Sequence, residues 1–168
     1  MSAPQLRLLY LHGLLAQPKS EKLDWLAAQP EVALTAPQIH YRLPGWFTQL
    51  QALWRRLEPQ AVIGSSMGGY AAWHLARLST NRVPLLLFNP VLRESDIRLP
   101  ALSGGQNYDG PAVVVLGKRD PIVNPHITQE FLQQHAPQSR LLWVPDLEHR
   151  IPLDTFQQVV TPWLQERV

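Results

Sequence analysis

The sequence predicts an α/β fold, a compact, mostly parallel sheet of about six strands with helices on both faces. Three observations carry that expectation. Short apolar runs alternate along the chain with segments of helical period. The runs are continuously apolar rather than alternating, as strands read when both faces of a sheet are covered. One run, near the middle, passes through Gly64-Ser65-Ser66-Met67-Gly68 directly into a helix-forming segment.

The elements follow in order. Residues 6–11 form the first strand, closed by the turn His12-Gly13. Ser20 can cap a helix over about 21–29, with Leu23, Trp25 and Leu26 facing the core and Pro30 ending it. Residues 32–36 make a second strand, stopped by Pro37. Trp46, Phe47, Leu50, Leu53, Trp54 and Leu57 recur at helical spacing, so about 44–58 is an amphipathic helix. Such spacing reads first as core packing, although Trp46, Phe47 and Trp54 could instead line an acyl pocket. Residues 61–63 are the third strand and 69–78 the helix after it. A fourth strand is expected over 83–88, then a loop-like stretch to Gly110, then a fifth strand over 112–116. Asn124-Pro125 reads as a helix start, the helix reaching about His135. A sixth strand spans 141–144, and a last helix begins near Pro152 and is disturbed at Pro162.

The chain has 168 residues, which suits one domain, 1–168, with a single sizeable core. The formal charge of +2 is spread without a basic run, so neither nucleic acid nor an anionic membrane is expected as a partner. With no cysteine there is no disulfide, thiolate metal site or cysteine nucleophile. The N-terminus lacks the pattern of a secretory leader, and a cytoplasmic location is the default.

The Gly64–Gly68 stretch has the form of a nucleophile elbow. The turn is so tight that side chains two residues either side of the serine would collide. Glycine there removes the collision and tolerates the strain. The frame makes Ser66, not Ser65, the candidate nucleophile. A Walker loop would need Gly-Lys-Ser/Thr, and a dinucleotide fingerprint Gly-x-Gly-x-x-Gly; neither is present.

A serine hydroxyl needs a base to take its proton, and a histidine base needs a carboxylate to fix its tautomer. In an α/β sheet such groups gather after the carboxyl ends of strands. Asp120 lies a few residues after the fifth strand, and Glu94 and Asp96, after the fourth, are alternatives. Asp146 stands too near the candidate base. His149 follows the sixth strand, whereas His40, His74, His126 and His135 read as structural or solvated. The chain order Ser66, Asp120, His149 is that of α/β-hydrolases. An oxyanion hole would use the backbone N–H groups of Met67 and of Leu14, in the turn after the first strand. His12 reads as a brace of that turn.

With these residues placed, the chain resembles the YqiA-like esterase family of α/β-hydrolases. The resemblance rests on Leu9-Tyr10-Leu11-His12-Gly13, on Ser20 and Lys22, and on Ile63-Gly64-Ser65-Ser66-Met67-Gly68-Gly69-Tyr70. It continues through Phe88-Asn89-Pro90-Val91, the segment around Asp120, and His149. One departure is Leu147-Glu148, where such hydrolases often carry glycine before the histidine. The resemblance implies hydrolysis of carboxylic esters or thioesters without a cofactor, in a protein with no large lid, and the open cleft that follows favours small acyl groups. An amidase or acyltransferase using the same residues, and a catalytically silent interaction module, stay open alternatives.

Overall fold

The computed structural model describes residues 5–94 and 107–167. Along the chain run β1 (Leu6–Leu11), α1 (Glu21–Ala27), β2 (Val32–Thr35), α2 (Trp46–Leu57), β3 (Ala61–Ser65) and α3 (Met67–Leu78). Then come β4 (Leu85–Phe88), β5 (Ala112–Gly117), α4 (Pro125–His135), β6 (Arg140–Val144) and α5 (Leu153–Gln165). The strands form one sheet in the order β2-β1-β3-β4-β5-β6, and every pairing is parallel.

Strand residues supply both cores by alternation. Leu9 and Leu11 join Val62, Leu85, Leu87 and Val114 on one face, under α2, α3 and α4. Leu8 and Tyr10 join Ile63, Leu86, Phe88 and Val115 on the other, under α1 and α5. Period-two side chains with two covered faces explain why the strands read as unbroken apolar runs. Phe47 and Trp54 of α2 are buried in the first of these cores, with Trp46 packed against it. Burying each such side chain is worth about 1.5–3 kcal/mol.

Element types match the sequence reading, and the differences at the ends have local causes. The fourth strand begins at Leu85 rather than 83, because Pro84 has no N–H to give the ladder. Helix α1 ends at Ala27 with Ala28 as its cap, short of 29, because the residue before Pro30 disfavours helical backbone. Helix α2 starts one residue after Gly45, which adopts a left-handed φ of 81°. Helix α5 continues through Pro162 to Gln165. The carbonyl that loses its partner there belongs to Gln158, on the exposed side, while Val160, Trp163 and Leu164 hold the helix to the sheet.

The order reverses about β1. The connection through α1 leads outward to β2, and that through α2 leads back across β1 to β3. A crevice therefore opens between the carboxyl ends of β1 and β3, the position where open α/β sheets bind ligands.

Candidate active site

Ser66 stands at the end of β3 with φ 55° and ψ −116°, a conformation that L residues rarely adopt. Three glycines make room for it. A Cβ at Gly64 would lie 2.5 Å from the Gly68 carbonyl oxygen, one at Gly68 1.8 Å from the Leu11 carbonyl oxygen, and one at Gly69 2.6 Å from Pro90 Cβ. The strained residue is held by its backbone. Ser66 N–H donates to Phe88 O (3.0 Å), and its carbonyl accepts from Tyr70 N–H and Val91 N–H (both 3.2 Å). Strain persists only when the surroundings over-determine it, and these bonds do so.

His149, in the loop after β6, brings Nε2 to 3.0 Å from Ser66 Oγ and Nδ1 to 2.8 Å from Asp120 Oδ2. Asp120 follows β5 and its side chain has no solvent exposure. Its second oxygen, Oδ1, accepts from Ile122 N–H (2.8 Å) and Val123 N–H (2.9 Å), which fixes the carboxylate's orientation. With Nδ1–H donated to that carboxylate, Nε2 is bare and can accept from the serine hydroxyl. A hydroxyl, an imidazole and a buried carboxylate in line can pass a proton from oxygen to ring and hold the resulting charge.

The turn after β1 is locked by His12, which is buried. Its Nε2 accepts from Ile39 N–H (2.9 Å), so the proton of the neutral ring sits on Nδ1 and is donated to Gly13 O (2.7 Å). Burial pushes the His12 pKa down, which favours this neutral form. Gly13 O also accepts from Ala16 N–H (3.2 Å), and Tyr41 Oη donates to His12 O (2.6 Å). The peptide is trans, so Leu14 N–H points away from this anchored carbonyl. Leu14 and Met67 both line a cleft of about 800 Å³ that also contains Ser66 and His149. Trp46, Phe47 and Trp54 are not among its walls.

Sequence reasoning noted Asn89 only as part of a motif and missed what it does. It has a left-handed φ of 42° and is buried at the end of β4. Nδ2 donates to Glu148 O (2.9 Å) and His149 O (3.3 Å), and Oδ1 accepts from Gly117 N–H (2.8 Å). One carboxamide thus ties the loop carrying His149 to the strand end that leads to Asp120. The sequence signal was an Asn after a buried strand, a residue type that tolerates left-handed backbone.

The other candidates lie elsewhere. Glu94 pairs with His135 Nε2, and Asn107 Oδ1 faces the ring's other nitrogen at 2.7 Å. Asp146 lies exposed, 3.8 Å from Arg119. Asp96 falls outside the described residues. His74 is buried and accepts from Arg77 Nε (2.8 Å), while His40 and His126 are exposed. Among the described residues no cluster of His, Asp or Glu could hold a metal ion, and no helix is long and apolar enough to cross a membrane.

Comparison with known proteins matches residues 7–109 to the model of an uncharacterised protein family, UPF0227. Among solved structures, a Xanthomonas campestris protein described as a hydrolase of the alpha/beta superfamily superposes with a TM-score of 0.75 at 19% identity. The match covers 96% of this chain and 99% of that one. Est1E from Butyrivibrio proteoclasticus gives 0.74 at 14% identity, over 97% and 88% of the two chains. Mouse alpha/beta hydrolase domain-containing protein 10 gives 0.76 at 11%, over 95% and 88%. At these identities the likeness is one of fold, and the fold is that of the α/β-hydrolases.

Proposed function

Because this chain belongs to the uncharacterised protein family UPF0227, the YqiA-like family, and has the α/β-hydrolase fold, we propose that it is a serine hydrolase of carboxylic esters or thioesters with small acyl groups. The observation that carries this reading is the unbroken line from Ser66 Oγ through His149 to the buried Asp120.

In the proposed reaction Ser66 Oγ attacks the acyl carbonyl as its proton passes to His149 Nε2. The carbonyl oxygen becomes an oxyanion, received by the backbone N–H groups of Met67 and Leu14. Collapse of the tetrahedral intermediate breaks the bond to the leaving alkoxide or thiolate, which takes the proton from His149. Water, deprotonated by the same ring, then attacks the acyl-enzyme and releases the acid with Ser66 regenerated. Asp120 keeps Nδ1 protonated throughout and stabilises the imidazolium. His12 is the brace that aims Leu14 N–H, because it holds the carbonyl of the same peptide.

The test is labelling by a fluorophosphonate probe. Wild type is expected to label covalently and Ser66→Ala to remain unlabelled. Absence of labelling in wild type, or equal labelling of the variant, would refute the proposal. A panel of 4-nitrophenyl esters and the corresponding thioesters then ranks the two leaving-group classes.

A further inference from the structure

Lys22 was singled out in the sequence, and the reaction just described gives it no task. It lies in α1 and its side chain turns into the cleft beside Ser66. Nζ donates to Ile151 O (3.0 Å) and sits 5.9 Å from the centre of the Phe156 ring, so the ammonium is held in place and half-buried. Its charged neighbour is Arg150, next in sequence to His149 and also in the cleft wall; burial and then this arginine both push the lysine pKa down. Lys19 and Arg93 line the same cleft, and no Asp or Glu does among the described residues. None of the four cations takes part in an ion pair among the described residues.

Two like charges on one cleft wall, that of Lys22 half-buried, repel each other, and an anion bound between them relieves the repulsion. Protein interiors supply a carboxylate for this; the described residues of the cleft supply none. We infer that Lys22 and Arg150 form an anion-binding subsite, which selects esters or thioesters carrying a carboxylate or phosphate away from the scissile carbonyl. Lysine contributes a fixed point charge and arginine a fork that grips two oxygens of an oxyanion. The positive charge of Lys19, Lys22, Arg93 and Arg150 on the cleft wall also draws such substrates in, an effect that weakens with salt. The inference deepens the hydrolase reading and rests on it.

Binding separates the two, because it needs no turnover. Ser66→Ala protein is titrated calorimetrically with two matched pairs. The first is 4-nitrophenyl hydrogen glutarate against 4-nitrophenyl valerate, with the charge in the acyl part. The second is 4-acetoxyphenyl phosphate against phenyl acetate, with the charge in the leaving group. The anionic member of at least one pair is expected to bind about tenfold tighter or more. Adding Arg150→Gln or Lys22→Met should bring that ratio close to one. Arg150 is exposed and makes no hydrogen bond among the described residues, so its variant tests the site even where loss of Lys22 harms folding. Ratios near one in both pairs, or a preference untouched by Arg150→Gln in a folded protein, would overturn the subsite. Fluorophosphonate labelling of the Ser66 protein reports separately on the hydrolase reading.

Discussion

The Asn89 carboxamide holds the main chain of His149: Nδ2 donates to the His149 carbonyl at 3.3 Å and to that of Glu148 at 2.9 Å. The same side chain accepts from Gly117 N–H, three residues before Asp120. The loops carrying His149 and Asp120 are therefore set against each other by a residue that touches neither side chain. Asn89→Asp keeps the acceptor for Gly117 and sets a carboxylate against two carbonyls. Asn89→Gly removes all three bonds and leaves the φ of 42° unstrained. Both are expected to lower kcat by about ten- to a hundredfold with a much smaller change in KM, since misplacing a base by about 1 Å costs that much. Steady-state kinetics on folded protein decides. An unchanged kcat in Asn89→Asp would remove Asn89 from the positioning machinery.

Asp120→Asn should leave the fold intact. The amide oxygen can still accept from Ile122 and Val123 N–H, the two bonds that fix the turn. Its NH2 group, however, faces His149 Nδ1, and the ring then places its proton on Nε2, where Ser66 needs an acceptor. The expected loss in kcat is on the order of 10⁴, the size that follows a wrong tautomer in a serine triad. Thermal unfolding should remain near wild type. A near-normal turnover would assign the acid role to another carboxylate.

Stability should fall in mild acid because of His74. Burial first, then Arg77, pushes its pKa down to about 3, and its Nδ1 is committed as an acceptor from Arg77 Nε. In the unfolded chain the ring titrates near the ordinary value of about 6.5. Between those values the unfolded state binds a proton that the folded state does not, so stability is full above about pH 6.5 and declines as pH drops toward 3. From pH 7.5 to 5.5 this one group removes about 1.4 kcal/mol. His12, also pushed down by burial, acts in the same direction. Urea unfolding at the two pH values is the measurement. His74→Leu should show a difference smaller by about that amount; an equal difference in wild type and variant would refute the assignment.

The strands were legible because two covered faces leave most strand positions apolar, and the helices because Trp46, Leu50 and Trp54 repeat at helical spacing. Their ends depended on backbone detail: the missing donor of Pro84 and the left-handed Gly45 moved them by one or two residues. Ser66, Asp120 and His149 could be singled out because each follows a different strand, and parallel strands bring their carboxyl ends to one edge. Asn89 and Lys22 could not be read in the same way. Their partners, Glu148 and Ile151, stand 59 and 129 residues away, and only tertiary packing decides that they meet.

The close approach of Gly64, Gly68 and Leu11 also bears on how such a chain can evolve. Any side chain at Gly68 enters the carbonyl of Leu11, and any at Gly64 enters that of Gly68. Once one glycine has been replaced and the turn has relaxed to a wider form, replacing the other loses little more. The two positions are therefore epistatic. A lineage released from selection on the serine should shed both glycines in quick succession, and a lineage under that selection should shed neither.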